Sequence, residues 1–165
     1  MPAAPFTFES VDWNDPRAVD LRARMDAEMT VRYHSEIPEP AELTAKRQVA
    51  LAVDPAQLKA TVLVIDSDGT PIAHAALRLL RGDWEVKRVV VADGQRGRGI
   101  GRALMDHLES LAREGGARRL ILQTGDRQPD AVALYEKAGY TPIPNYEPYI
   151  ETIPFGLCFE KVLAR

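Results

Sequence analysis

Val89-Val90-Val91-Ala92-Asp93-Gly94-Gln95-Arg96-Gly97-Arg98-Gly99-Ile100-Gly101-Arg102-Ala103-Leu104 runs a β-branched stretch, a glycine-rich turn and the start of a helix together without a break. That order can make an anion site. Glycines let the main chain curl until several N–H groups converge, and the positive end of the following helix adds its field. A diphosphate could then be held by backbone, with Arg96, Arg98 and Arg102 raising the local potential. Glycine-rich turns before helices also serve as plain structural ends, so the loop alone leaves both readings open. A Walker loop is disfavoured because no Lys-Ser or Lys-Thr follows the glycines, and a dinucleotide fingerprint because the preceding strands read as an antiparallel meander.

That meander lies immediately upstream. Thr61 to Ile65, the turn Asp66-Ser67-Asp68-Gly69 and Pro71 to Leu79 read as a β-hairpin, and Arg81-Gly82-Asp83 turns the chain into Trp84 to Val91. Further upstream, Phe6, Phe8 and Val11 alternate with polar residues as a first strand. Helices from about Asp15 towards Tyr33 and from Ala41 to Ala52 follow, parted by Ile37-Pro38-Glu39-Pro40.

Downstream, Ile100, Ala103, Leu104, His107, Leu108 and Leu111 mark the buried face of a helix ended by Gly115-Gly116, with Arg102, Asp106, Glu109 and Arg113 placed elsewhere. Arg118 to Thr124 reads as a buried strand and Pro129 to Lys137 as a helix stopped by Gly139. Tyr140 to Ile143 and Leu157 to Leu163 read as closing strands.

The 165 residues, 45% of them hydrophobic, suit a single domain over 1–165 with one core. A net charge of -3, with both signs spread along the chain, argues against a nucleic-acid surface. The single cysteine, Cys158, excludes an internal disulfide, and no Cys or His pair has zinc-site spacing, so no metal is expected. Cys158 lies in an apolar strand and reads as buried and inert; His74 and His107 read as packing residues. Met1 to Phe8 carries no basic-then-apolar leader and no apolar run has bilayer length, so a cytoplasmic location without membrane association is expected.

Two motifs carry a resemblance. Arg96-Gly97-Arg98-Gly99-Ile100-Gly101 is similar to the Arg/Gln-x-x-Gly-x-Gly/Ala signature of the GNAT superfamily of acyl-CoA-dependent N-acyltransferases. Ala131-Val132-Ala133-Leu134-Tyr135-Glu136-Lys137-Ala138-Gly139-Tyr140 resembles that family's Ala-x-x-Leu-Tyr-x-x-x-Gly-Phe segment. The element order fits over nearly the whole chain. The resemblance implies an α+β fold: a mostly antiparallel twisted sheet of about six or seven strands, splayed at the fourth, flanked by about four helices.

It further implies acetyl-CoA as co-substrate. The backbone of Val89, Val90 and Val91 would hold the pantetheine arm, and Arg96, Gly97, Arg98, Gly99, Ile100, Gly101 and Arg102 the diphosphate. Gln128 stands where many members carry Asn, and its amide can still donate and accept. Asp93, where many carry Pro, is expected to point away.

Acyl transfer from a thioester to an amine needs a neutral nucleophile, a stabilised oxyanion and a protonated leaving thiolate. By resemblance, Tyr135 is the acid: a phenol of pKa about 10 can protonate a thiolate of pKa about 8.5. An oxyanion would meet a backbone N–H of the splayed strand, that of Val91. Glu85 matches the catalytic glutamate of the histone-acetylating branch and is the preferred base for an ammonium of pKa about 10.4. Pairing of Glu85 with Lys87 or with Arg78 is the open structural alternative.

Acceptor-wall candidates are Tyr33, His34, Glu36, Arg78, Arg88, Tyr146 and Tyr149. Arg78 and Arg88 could hold a carboxylate, with solvated strand charges as the bland alternative. The expected partner is a small-molecule amine, an amino acid among the possibilities, acted on by a monomer or homodimer. A protein or peptide acetyltransferase and a non-catalytic acyl-CoA sensor are the alternatives.

Overall fold

The computed structural model describes residues 5–163. The chain runs β1 (Phe6–Ser10), α1 (Pro16–Arg32), α2 (Ala41–Leu51), a short 3-10 turn (Pro55–Gln57), β2 (Leu58–Asp66), β3 (Pro71–Leu80), β4 (Asp83–Val91), α3 (Ile100–Glu114), β5 (Arg119–Thr124), α4 (Pro129–Lys137), β6 (Thr141–Ile143) and β7 (Leu157–Val162). Among the described residues the sheet has seven strands in the order β1-β2-β3-β4-β5-β7-β6, and the only parallel neighbours are β4 and β5. The α+β class and the meander follow the sequence reading. The placement of β7 between β5 and β6 does not, because nothing local in Leu157–Val162 states which strand edge it will fill.

Strand β2 shows how the sheet divides its two faces. Val62 and Val64 join the core beneath α3, whereas Leu63 packs with Ala18 and Leu21 of α1 on the opposite face. Period-two alternation produces this, both faces being covered by helices. Along α3 the fully buried stripe is Ile100, Leu104, Met105, Leu108 and Ala112, with Glu109 buried beside it. The expected stripe was thus rotated by about one residue. Met105 and Ala112 take the place of Ala103 and Leu111, and Glu109 is buried because Lys161 (2.6 Å) and the Tyr140 hydroxyl (3.4 Å) meet its carboxylate. Each fully buried Leu or Met in the stripe stabilises the helix on the sheet by about 1.5–3 kcal/mol.

Strand β4 positions the site. Its pairing with β5 covers Trp84↔Leu120, Glu85↔Ile121 and Val86↔Leu122, then stops. On the β3 side the register slips between His74 and Ala76, and opposite that slip Arg88 adopts φ 57. This bulge inverts the strand's alternation. Val86 faces the α3 core, yet so do Val89 and Val91, while Val90 turns to α1. A non-glycine residue in the left-handed region costs about 1–3 kcal/mol, so its surroundings must hold it there.

The holding contacts are buried. His74, 0% exposed, places Nδ1 2.8 Å from the Arg88 carbonyl and Nε2 3.1 Å from the Arg22 guanidinium. A carbonyl only accepts and a guanidinium only donates, so the imidazole is neutral with its proton on Nδ1. Burial lowers its pKa to about 4, which keeps it so. Arg22 in turn lies over the Trp13 ring at 3.6 Å and donates to the Trp13 carbonyl.

Candidate active site

Where β4 and β5 part, two hollows open on either side of Val89. The larger, about 360 Å³, runs from the glycine-rich loop to α4 and is lined by Val89, Val90, Val91, Gln95, Arg96, Gly97, Gly99, Ile100, Gly101, Arg102, Gln128 and Tyr135, among others. The smaller, about 200 Å³, lies towards α1 and the segment after β6, and Lys87, Arg88, Gln123 and Phe155 contribute to its wall. Met25, Met29, Val89, Gln128 and Tyr135 line both. The two hollows therefore adjoin along these five residues, with the Tyr135 side chain beside the bulged strand.

The larger hollow is built mainly from backbone. Gly97 and Gly99 take φ 86 and 76, and Gly99 caps α3 with no side-chain hydrogen bond, which leaves the first amides of a 15-residue helix directed at the hollow. Ala92 N–H donates to the Ile72 carbonyl at 2.9 Å, and Val91 lies opposite Ala73. Alternation in an antiparallel pair then turns the Val91 N–H and C=O away from β3, to the side where β5 has left. Main-chain groups for a pantetheine-like arm are available there.

The three arginines of the loop do not act alike. Arg96 and Arg102 line the hollow, Arg96 held by Glu28 at 3.0 Å and Arg102 by the Lys137 carbonyl at 2.6 Å. Arg98 is a correction: its guanidinium turns to Asp66 in the β2–β3 turn (3.0 Å) and to Gln95 (2.5 Å), away from the hollow. The sequence reading missed Glu28, Arg32, Asp130 and Lys137 on the same wall. Arg32 bridges Glu28 at 2.8 Å and Asp130 at 2.7 Å, so α1 is tied to α4 across the opening. Spacing could have paired Glu28 with Arg32 on one helix, but nothing local linked either to Asp130. Asp93 is exposed and off the wall, as expected.

Tyr135 is 6% exposed, its ring edge-on to Tyr140 at 6.1 Å and tilted against Phe159 at 6.4 Å. Burial, reinforced by the charge of Asp130, pushes its phenol well above the usual tyrosine value. The group therefore stays protonated near neutrality and is available as a proton donor.

Glu85 departs from its expected role. It is 0% exposed; Arg78 Nε donates to Oε1 at 2.7 Å, and the hydroxyls of Tyr146 (2.5 Å) and Tyr149 (3.0 Å) donate to Oε2. Both oxygens are occupied and the group lines neither hollow, so it is the counter-ion of Arg78 rather than a base that meets an amine. The pairing with Arg78, one of the two structural alternatives, is the one formed. Arg78 and Tyr149 are consumed by the same cluster and leave the list of acceptor-wall residues, as does Tyr146, which edges a separate hollow beside Leu80 and Arg119. His34 and Glu36 are exposed and outside the smaller hollow.

Tyr33 and Arg88 do line it. The Tyr33 hydroxyl accepts from the Arg127 N–H at 3.0 Å and approaches Gly125 so closely that a Cβ there would sit 1.7 Å from it. Arg88 is neutralised by Asp26 at 2.8 Å. Lys87 was read from the sequence only as a possible partner of Glu85. In the fold it lines the smaller hollow, with Nζ donating to the Tyr149 hydroxyl at 2.7 Å.

Comparison with known proteins places this geometry. The model of the acetyltransferase (GNAT) family matches residues 23–140. An IAA acetyltransferase of Azospirillum brasilense is 37% identical over 103 residues, 61% of this chain and 67% of that protein. A streptothricin acetyltransferase of Streptomyces lavendulae is 33% identical over 82 residues, 48% of this chain and 43% of that protein, so the match spans less than half of the latter's length. A crystal structure of a Klebsiella pneumoniae protein assigned as an acyl-CoA N-acyltransferase superposes with TM-score 0.77 at 26% identity, covering 96% of this chain and 98% of that one.

Proposed function

Because the chain belongs to the acetyltransferase (GNAT) family, we propose that it moves an acetyl group from acetyl-CoA to the amine of a small molecule by direct attack within a ternary complex. The observation that carries this reading is the meeting of two hollows at Tyr135 and Val89. One hollow has the backbone donors a diphosphate and pantetheine need. The other has room for a small acceptor.

The amine, having lost its proton to water, attacks the thioester carbonyl carbon, and a C–N bond forms as the carbonyl π pair moves to oxygen. The Val91 N–H, turned to the open side of β4, stabilises that oxyanion. Collapse breaks the C–S bond, and the thiolate takes the Tyr135 proton. As the C–N bond becomes an amide the nitrogen gives up its second proton to water, which returns it to Tyr135, and the products are the acetamide and free CoA.

A peptide or protein acceptor fits less well. The acceptor hollow is about 200 Å³ and carries Lys87 and the paired Arg88 and Asp26, not the open acidic groove that a lysine-bearing chain would call for. A sensor without turnover has no need of an unpartnered phenol at the junction. The test is calorimetry with CoA together with thiol release from acetyl-CoA over a panel of small amines. Micromolar CoA binding and release stimulated by at least one amine are expected. No CoA binding at millimolar concentration overturns the reading.

A further inference from the structure

Lys87 is an expensive residue where it stands. It is 6% exposed, its one hydrogen-bond partner is the neutral Tyr149 phenol at 2.7 Å, and no carboxylate lies within ion-pair distance of its Nζ among the described residues. The carboxylate of Glu85, two residues away, is taken by Arg78. Burial lowers the Lys87 ammonium to about 8, with Glu85 resisting and Arg78 and Arg88 adding to the effect, so the group is still largely charged near neutrality. A buried ammonium without a counter-ion lowers stability unless something compensates it.

The neighbouring charges do not compensate it. Arg78 and Lys87 face Glu85, and Arg22 and Arg88 face Asp26, which leaves an excess of positive charge beside this end of the hollow. The other charges on the wall, Arg88 and Asp26, are paired with each other at 2.8 Å, and Met25, Met29, Leu51, Ile153 and Phe155 supply an apolar side to the cavity. A pocket whose one unpaired buried charge is a cation, set beside an apolar side, selects a ligand with one anionic group and an apolar body.

Resting on the proposed acetyl transfer, we infer that the acceptor is a small amine that also carries a carboxylate, an apolar amino acid in chemical class, and that Lys87 binds the carboxylate while the amine is directed to Val89 and Tyr135. Lys87 is then a specificity determinant. The ligand supplies the counter-ion that the fold omits, and the cavity of about 200 Å³ limits the body to a single side chain's bulk.

The experiment compares matched acceptors, leucine with isopentylamine and phenylalanine with 2-phenylethylamine, in the wild type, Lys87→Met and Lys87→Arg. Wild type favours the carboxylate-bearing member by on the order of tenfold or more in kcat/KM. Lys87→Met loses that preference, its kcat/KM falling further with the carboxylate-bearing member than with the matched amine, and Lys87→Arg recovers part of it. Without ligand, Lys87→Met melts no lower than wild type, because an apolar group replaces an unpaired buried charge. Equal losses for both members of each pair, or a wild type indifferent to the carboxylate, overturn the inference. If Lys87→Met does not fold, Lys87→Gln takes its place.

Failure of the acetyl-transfer reading is told apart by an arm without turnover: calorimetry of 3-phenylpropionate and 4-methylpentanoate with CoA-loaded protein. Binding that Lys87→Met abolishes upholds the anion pocket even if no amine is acetylated. Absence of binding in wild type overturns it.

Discussion

The two hollows that meet at Tyr135 are made in opposite ways. The larger one is a local product. Its floor is a strand end, a loop and a helix start consecutive in sequence, and its working groups are main-chain amides that exist whatever the side chains do. The smaller one draws on α1, β4, β5 and the segment after β6, and its working groups are side chains whose charge depends on partners far away in sequence. A site made of backbone tolerates substitution unless the chain path changes. A site made of buried side chains is set by which charges find counter-ions.

That contrast predicts a graded series. The largest effect is expected in the buried cluster beside the smaller hollow. Glu85→Gln leaves the Arg78 charge uncompensated and lowers stability by about 3–5 kcal/mol, a drop in melting temperature of roughly 10 °C. Activity per folded molecule, measured well below that temperature, should stay within about threefold. A hundredfold fall in kcat with normal melting would instead restore Glu85 as the base.

Next comes the junction. Tyr135→Phe should reduce kcat by about a hundredfold or more, since general acid catalysis contributes on that scale, with CoA affinity by calorimetry nearly unchanged. Full activity in this variant would remove the assigned acid. The smallest effect belongs to the backbone-built side. A Cβ at Gly99 meets no atom within 4 Å, so the cost of Gly99→Val is chiefly that of φ 76 in a β-branched residue, and CoA affinity should weaken by on the order of tenfold. Affinity unchanged by Gly99→Val would mean that the loop does not hold the diphosphate.

The reading of the sequence fared according to the same division. The meander, the helix order and the glycine loop were legible because alternation, capping and turn residues are properties of neighbours. Helix α1 begins where Asp15 and Pro16 place it, with Asp15 accepting from the Arg17 N–H. The Arg98 expectation failed because Asp66 reaches it from a turn separated by the whole of β3 and β4. Glu85 was misassigned as a base because its cluster is completed by Tyr146 and Tyr149, and no periodicity links those residues to β4.

By itself, then, the order of residues determined the local devices: a strand that ends in glycines, a helix whose first amides are bare, and a tyrosine in the last turn of α4. The tertiary structure alone decided which side chains face the acceptor, through the bulge at Arg88 that resets the strand's alternation and the His74 contact that holds it. The physical reason is range. Backbone amides and helix ends carry their fields wherever a few residues put them, whereas the state of a buried charge such as Lys87 is fixed only when the whole chain has closed around it.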